Sequence, residues 1–247
     1  MNIIVFDTET TSLEKPFCYN IGYVIVNTET KEKLCKRDFV VEQVWHNLEL
    51  FSSAYYANKR ELYVSRMKAK KVIMDKYGYI LRQLRSDIKS FEISNGYAYN
   101  SSFDEKVFAF CCEWYKCSNP LDTIKVYDIR GYVHEFIAQT DDYQSFCETN
   151  GYLTENGNYS TTAETVYRYI TRNCDFIEEH TALADSEIEY DILQECIDRG
   201  AEWNTEYKVL RSIERPIEKE LIVKQNNQET IFKYVKRTNR GNTIYLK

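Results

Sequence analysis

The stretch Asn2-Ile3-Ile4-Val5-Phe6-Asp7-Thr8-Glu9-Thr10-Thr11 decides the fold. Residues 2–6 form a short, continuously apolar run, the pattern of a strand buried on both faces. Two carboxylates follow directly. Asp7 and Glu9 are two residues apart, so an extended chain puts both on one side. Like charges at a sheet end repel each other and are costly to desolvate. A hard divalent cation such as Mg²⁺ or Mn²⁺ compensates them, because such ions prefer carboxylate oxygens. Taken alone, a D-x-E reads equally as an exposed acidic turn.

Working outward, residues 19–26 and 34–41 are further β-rich runs, and they make a meander with the first. Residues 45–91 turn helical, with Ile73, Tyr77, Ile80, Leu81, Leu84 and Ile88 at three- and four-residue spacing. Residues 97–99 predict a short strand. A helix should follow it, with Ser102 and Glu105 as a capping box and Phe103, Val107, Phe110, Cys111 and Trp114 as its apolar stripe. Further elements are a strand at 124–129, a polar loop at 150–159 and helices near 161–171 and 181–199, the last stopped by Gly200. Strands first, then helices alternating with strands, predict a mixed α/β sheet flanked by helices. In such sheets, sites form at the carboxyl ends of strands. The domain expectation is a body over 1–204, with the basic helical stretch 45–91 as an insertion. Residues 205–247 then form a basic linker and a β-rich extension, whose Phe232, Tyr234 and Tyr245 either pack inward or stack on bases.

The chain has 247 residues, with 21 Tyr and 12 Phe to build a core, and only 8 Gly and 3 Pro. Eight cysteines without CxxC spacing argue against zinc and for reduced thiols. With no basic lead before the first apolar run and no apolar run of about 18 residues, neither a secretory signal nor a membrane span is expected. The expected location is the cytoplasm. The net charge of −6 argues at first against a nucleic-acid partner. Residues 58–90, however, carry ten Lys/Arg against three Asp/Glu, and 205–247 carry ten against five. Lys68, Lys70, Lys71, Arg82 and Arg85 offer an electrostatic track for a polyanion; a solvated helix face is the plain alternative.

Two more acidic signals complete the pattern. Asp104 lies in the first turn of the helix after the second predicted inner strand, behind Asn100. Asp185 stands five residues after His180, and the two converge if His180 lies in the loop entering the helix. The order is D-x-E, then N-x-x-F-D, then H-x-x-x-x-D. This resembles the DnaQ-like (DEDDh) 3′→5′ exonucleases, through Asp7-Thr8-Glu9-Thr10-Thr11, Asn100-Ser101-Ser102-Phe103-Asp104 and His180-Thr181-Ala182-Leu183-Ala184-Asp185. Thr181 stands where the tyrosine-bearing subclass has its tyrosine, so His180 places the chain in the histidine version. Ser12 departs from the glycine common in relatives.

The resemblance implies an RNase H-like sheet and a two-metal phosphodiester hydrolase releasing 5′-mononucleotides from 3′ ends. It implies that Asp7, Glu9, Asp104 and Asp185 hold two Mg²⁺ or Mn²⁺ ions and that His180 is the general base. Thr8, Thr10, Leu13, Asn100 and Phe103 are candidates for contact with the terminal nucleotide. The expected partner is nucleic acid, DNA before RNA, with a polymerase or a repair or replication protein as a further partner. The alternatives are an RNA-directed member and a silent nuclease-like binding module.

Overall fold

A computed structural model describes residues 1–215 and, beyond them, the backbone of the strands within 217–246. Strand β1 (Asn2–Thr10) pairs antiparallel with β2 (Cys18–Asn27), which pairs antiparallel with β3 (Lys33–Val41). The chain then forms α1 (Glu42–Trp45), α2 (Leu48–Ser52), α3 (Arg60–Lys68), the short strand β4 (Ile73–Asp75) and α4 (Tyr77–Ser90). Next come β5 (Asn95–Ala98), α5 (Ser101–Tyr115), β6 (Lys125–Asp128), α6 (Ile129–Phe136), α7 (Asp141–Asn150), α8 (Ala163–Thr171) and α9 (Ala182–Asp198). The sheet order is β4-β3-β2-β1-β5-β6, with β1 parallel to β5, β5 parallel to β6 and β3 parallel to β4. The mixed, helix-flanked α/β sheet is thus as predicted.

Alternation along β1 divides the core. Ile4 and Phe6 enter one apolar cluster with α4 and α5, while Ile3 and Val5 enter another with α6, α8 and α9. Because the side-chain period of a strand is two, the same alternation sorts the polar end of β1. Thr8 follows Phe6 toward α5, and Asp7 and Glu9 follow Val5 toward α9.

Several elements differ from the sequence reading. The first strand runs to Thr10, so Asp7 and Glu9 sit within it rather than after it. The stretch 45–91 is not one helical region. Ile73 belongs to edge strand β4, paired to Phe39, and is half exposed. The capping box also shifts. Asn100, at φ 64°, is the N-cap of α5, and Ser101 rather than Ser102 hydrogen-bonds Glu105 (3.1 Å). The buried face of α5 is Ser101, Asp104, Val107, Phe108, Cys111 and Cys112, whereas Trp114 is 61 % exposed. Phe103, Phe110 and Trp114 are the larger side chains, but the buried i, i+3, i+4 stripe begins with Ser101 and Asp104.

Packing continues past residue 204. Tyr207 lies edge-on to Tyr132 and Phe136, the Leu210 N–H donates to His134 Nδ1 (2.9 Å), and the Tyr159 N–H donates to the Ile213 carbonyl (3.0 Å). Strands β7 (Ile217–Gln225), β8 (Gln228–Lys236) and β9 (Thr243–Leu246) form an antiparallel sheet, in keeping with the β-rich extension expected there. The side chains of Phe232, Tyr234 and Tyr245 lie outside the described residues.

Candidate active site

Asp7 pairs across the ladder with Gly22, on the face that α9 covers. A Cβ on Gly22 would sit 2.0 Å from the Leu183 nitrogen. The missing side chain therefore lets the first turn of α9 rest on the sheet beside Asp7. The Ser186 hydroxyl donates to the Gly22 carbonyl (3.1 Å) and the Ala182 carbonyl (2.6 Å), which secures the contact.

Asn20, fully buried, fixes the same helix end. Its Oδ1 accepts from the Ala182 N–H and the Tyr63 hydroxyl (both 2.8 Å), and its Nδ2 donates to Asp38 and the Phe39 carbonyl. Thr181, the N-cap, makes no side-chain cap of its own, so Asn20 supplies the capping acceptor from another strand. Arg66 holds the entry to α9 from α3, through the Thr181 hydroxyl (3.0 Å) and Glu179.

This framework brings together oxygens of Asp7, Glu9 and Asp185, all within 4.8 Å of one another. Ligand atoms of Glu178, His180 and Asp185 also lie within 4.8 Å of one another, so Asp185 is common to both groups. His180 lies in the loop before α9, at φ 52°, with its ring stacked on Tyr56 (4.3 Å) and its Nδ1 3.6 Å from Glu178. Asp104 is buried on α5 and accepts a 2.7 Å hydrogen bond from the Thr8 hydroxyl.

The electrostatics are those of crowded, desolvated acids. Burial, then Glu178, pushes the Asp7 carboxyl up to about 7. Burial, then Asp7, raises Glu9 and Asp104. Burial, then Asp7, Glu178 and Glu9, lifts Asp185 to about 10. Glu178 is raised to about 7, by burial and then Glu164. His180 moves the other way, its protonated form disfavoured by burial and by Lys59. Among the described residues, Asp185 Oδ1 is a buried oxygen with no hydrogen-bond partner. A hard cation fits this donor set, because it would bond the orphan oxygen and offset the repulsion.

The remaining predicted residues fall as follows. Leu13 is 74 % exposed, and the Thr10 hydroxyl points to the Ser12 carbonyl (3.5 Å). Ser12 closes the loop as a glycine could not, exchanging hydrogen bonds with the Lys15 backbone (3.0 and 3.1 Å). Phe103 is half-buried, and Asn100 Oδ1 accepts from Arg130 (2.9 Å). Lys68 ends α3, Lys70 and Lys71 follow it, and α4 carries Arg82, over the Tyr79 ring, and Arg85, bonded to Ser118. Among the described residues, none of these five cations has a hydrogen bond or ion pair to Asp7, Glu9, Asp104, His180 or Asp185.

Sequence reasoning missed four residues at this site. Glu178 is two residues before His180, in the loop that enters α9. Glu189 is four beyond Asp185 and shares its helix face; it is buried, accepts from the Tyr99 N–H (3.1 Å) and is raised by burial and then by Asp7. Lys59, over the Tyr56 ring (4.6 Å) and bonded to the Glu179 carbonyl, arrives from a distant segment with no local signal, and so does Tyr56.

No protein-family model matches the sequence, and no curated protein does. Among solved structures, the chain is similar to the nuclease domain of 3′hExo, a DEDDh family member bound to rAMP: TM-score 0.53, 14 % identity, covering 87 % of this chain and 96 % of that one. A full-length 3′-exonuclease matches at TM-score 0.51 and 14 % identity, over 97 % of this chain and 68 % of that one. The chain therefore has a DnaQ-like exonuclease fold, with the RNase H-like sheet expected from its motifs. Among the described residues, no helix is long and apolar enough to cross a membrane.

Proposed function

We propose that this protein is a divalent-metal-dependent 3′→5′ exonuclease that releases 5′-mononucleotides, acting on DNA at single-stranded or frayed ends. The observation that carries this reading is the convergence of Asp7, Glu9 and Asp185 within 4.8 Å, with His180 directed at the same Asp185. Asp7, Glu9 and Asp185 would hold one ion, and Asp7 with Asp104 a second. Bound there, the ions supply Lewis acidity, easing deprotonation of an attacking water and offsetting charge on the phosphoryl oxygens.

The protein's own groups do the rest. His180 is held neutral by burial and Lys59, so it can take a proton near neutral pH. Its Nδ1 lies 3.6 Å from Glu178, which leaves Nε2 for that proton. Thr8 orients Asp104, and Leu13, which is exposed, would flank the terminal nucleotide. In solution, 5′-labelled strands should shorten from the 3′ end with Mg²⁺ or Mn²⁺ and stay intact with excess chelator. Hydrolysis that persists in chelator would refute the metal-dependent reading. Matched DNA and RNA strands decide between the DNA enzyme and the RNA-directed alternative. A polymerase or repair protein is the proposed partner, testable by co-purification with the full chain.

His180→Ala should lower turnover on the order of 10²–10³-fold, the usual worth of a positioned general base. Metal affinity should change far less. Turnover within twofold of wild type would remove His180 from this role.

Metal binding should also depend on pH. The folded state keeps protons on Asp7 and Glu178, raised to about 7, and on Asp185, raised to about 10. The unfolded chain releases them near pH 4. Metal-free stability therefore falls as pH rises from about 4 through these higher values. A cation must displace the same protons, so it binds more tightly at higher pH. Thermal scans should show a larger Mn²⁺-induced rise in Tm at pH 8 than at pH 5.5. An equal rise at both would place the ions elsewhere.

A further inference from the structure

Next to the acids lies a cavity of opposite character. It has a volume of about 410 Å³, and its lining includes Asn100, Arg130, Ser160, Thr162, Arg211 and Ser212 but no carboxylate. In a chain of net charge −6, that selection against acids is informative. Arg211 is exposed and has no ion pair among the described residues. Arg130 reaches a neutral acceptor, Asn100 Oδ1 (2.9 Å). The nearby Asp128 is already engaged, its Oδ1 accepting from the backbone N–H groups of Asn100 and Arg130. The nine-residue helix α8 begins at the cavity wall, with Thr162 as N-cap accepting from the Thr165 N–H (3.3 Å). Its remaining first-turn N–H groups and the helix dipole favour an anion on that side.

Hydrogen bonds tie the wall of the cavity together. Buried His134 bridges the Thr161 hydroxyl (3.2 Å) and the Leu210 N–H (2.9 Å), tying the loop before α8 to the segment that carries Arg211. The Tyr99 hydroxyl donates to the Thr161 carbonyl (2.6 Å). The cavity and the acidic cluster also share a border. Asn100 caps the helix whose first turn holds Asp104, and the Tyr99 N–H bonds Glu189.

We infer that this cavity binds a backbone phosphate of the nucleic-acid strand, upstream of the terminal nucleotide, through Arg130, Arg211 and the N-terminus of α8. The inference rests on the exonuclease reading for the direction of the strand. Guanidinium groups and helix N-termini are the usual donors to phosphate, and the volume is that of a small-ligand site. A polyanion approaching carboxylates is repelled, and nearby cations offset that repulsion. Arg130 and Arg211 supply them next to the acids, independently of the Lys68–Arg85 track.

The test is fluorescence anisotropy on strands with a nonhydrolysable 3′-terminal linkage, from two to eight nucleotides, over a range of salt. Arg211→Gln should weaken binding of the eight-nucleotide strand about 5- to 10-fold at low salt. It should lower the slope of log affinity against log salt by about 0.7, the value for one phosphate contact on a single strand. The advantage of eight nucleotides over two should shrink by the same factor, and Arg211→Lys should restore most of it. Arg130→Gln should act in the same direction. An unchanged salt slope, or equal weakening at all lengths, overturns the inference. So does a 5′-mononucleotide whose binding is lost in Arg211→Gln while strand binding is kept, since the phosphate bound would then be a free one. If wild-type protein shows this arginine-dependent strand binding yet hydrolyses nothing with Mn²⁺, the phosphate site stands and the exonuclease reading falls.

Discussion

Asp185→Asn is expected to abolish hydrolysis while making the metal-free protein more stable. Asp185 belongs to both groups of converging ligand atoms, one with Asp7 and Glu9, the other with Glu178 and His180. Removing its charge takes a donor from the ion and the carboxylate from beside the base at once, so turnover should fall at least on the order of 10³-fold. Stability moves the other way for a reason that can be read from the site. Burial and three neighbouring acids lift the Asp185 carboxyl to about 10, so at pH 8 the folded protein holds a proton there that the unfolded chain has released. A raised carboxyl contributes stability below its unfolded pKa and loses it as pH rises toward its folded one. Asparagine matches the protonated shape without that cost. The variant should melt at least about 2–4 °C higher than metal-free wild type at pH 8, corresponding to roughly 1 kcal/mol or more. The gain should be smaller at pH 5. A lower Tm at pH 8, together with retained turnover, would mean that Asp185 is an ordinary structural carboxylate.

The second large effect comes from a residue with no chemistry. Gly22→Ala places a methyl group 2.0 Å from the Leu183 nitrogen, a contact between backbones that no rotamer can relieve. The first turn of α9 must lift from β2, which breaks the Ser186–Gly22 hydrogen bond and loosens Asn20 from Ala182. Overpacking of this kind costs about 3 kcal/mol or more, or roughly 6–12 °C in Tm for a chain of this size. Because the same turn carries Asp185 and follows His180, the displaced site should also lose on the order of 10²-fold in turnover, even well below the melting temperature. Gly78→Ala is the control. It makes the same substitution at the start of α4, where a Cβ meets nothing within 4 Å, and it should leave both Tm and turnover near wild type. If both variants behave alike, the close approach of α9 to β2 is not what sets the site.

The two predictions differ in how far the sequence foretold them. Asp185 stands five residues from a histidine near the start of a periodic apolar helix, and that spacing announced it. Gly22 sits inside an apolar run without a turn signal, and only the cross-strand pair Asp7–Gly22 gives it meaning. Glu189 and Glu178 lie between these cases. Both stand near recognised residues, Glu189 on the helix face of Asp185 and Glu178 two residues before His180. Neither is legible in the sequence, because a carboxylate in a polar stretch looks solvated until the neighbouring element covers it. The misplaced stripe of α5 has a related cause. Phe103, Phe110 and Trp114 are the larger side chains, whereas the face that packs is set by where β1 and β5 lie, and it includes Asp104.

The sequence alone determined the apolar first strand, the meander, the order of the inner strands and helices, and the three acidic motifs with His180. These are local quantities, carried by periods of two and 3.6 residues and by residue types at fixed offsets. Tertiary structure alone decided that Asp7, Glu9 and Asp185 share one space, that Asn20 and Gly22 hold α9 there, and that Lys59 and Tyr56 flank His180. It also decided that Arg130 and Arg211, 81 residues apart in the chain, line one cavity. Desolvation, close approach and charge coupling depend on separations through space between distant segments. The continuous apolar run at 2–6 marked β1 as central, and α9 packed across its carboxyl end makes Asp7 and Glu9 part of a site.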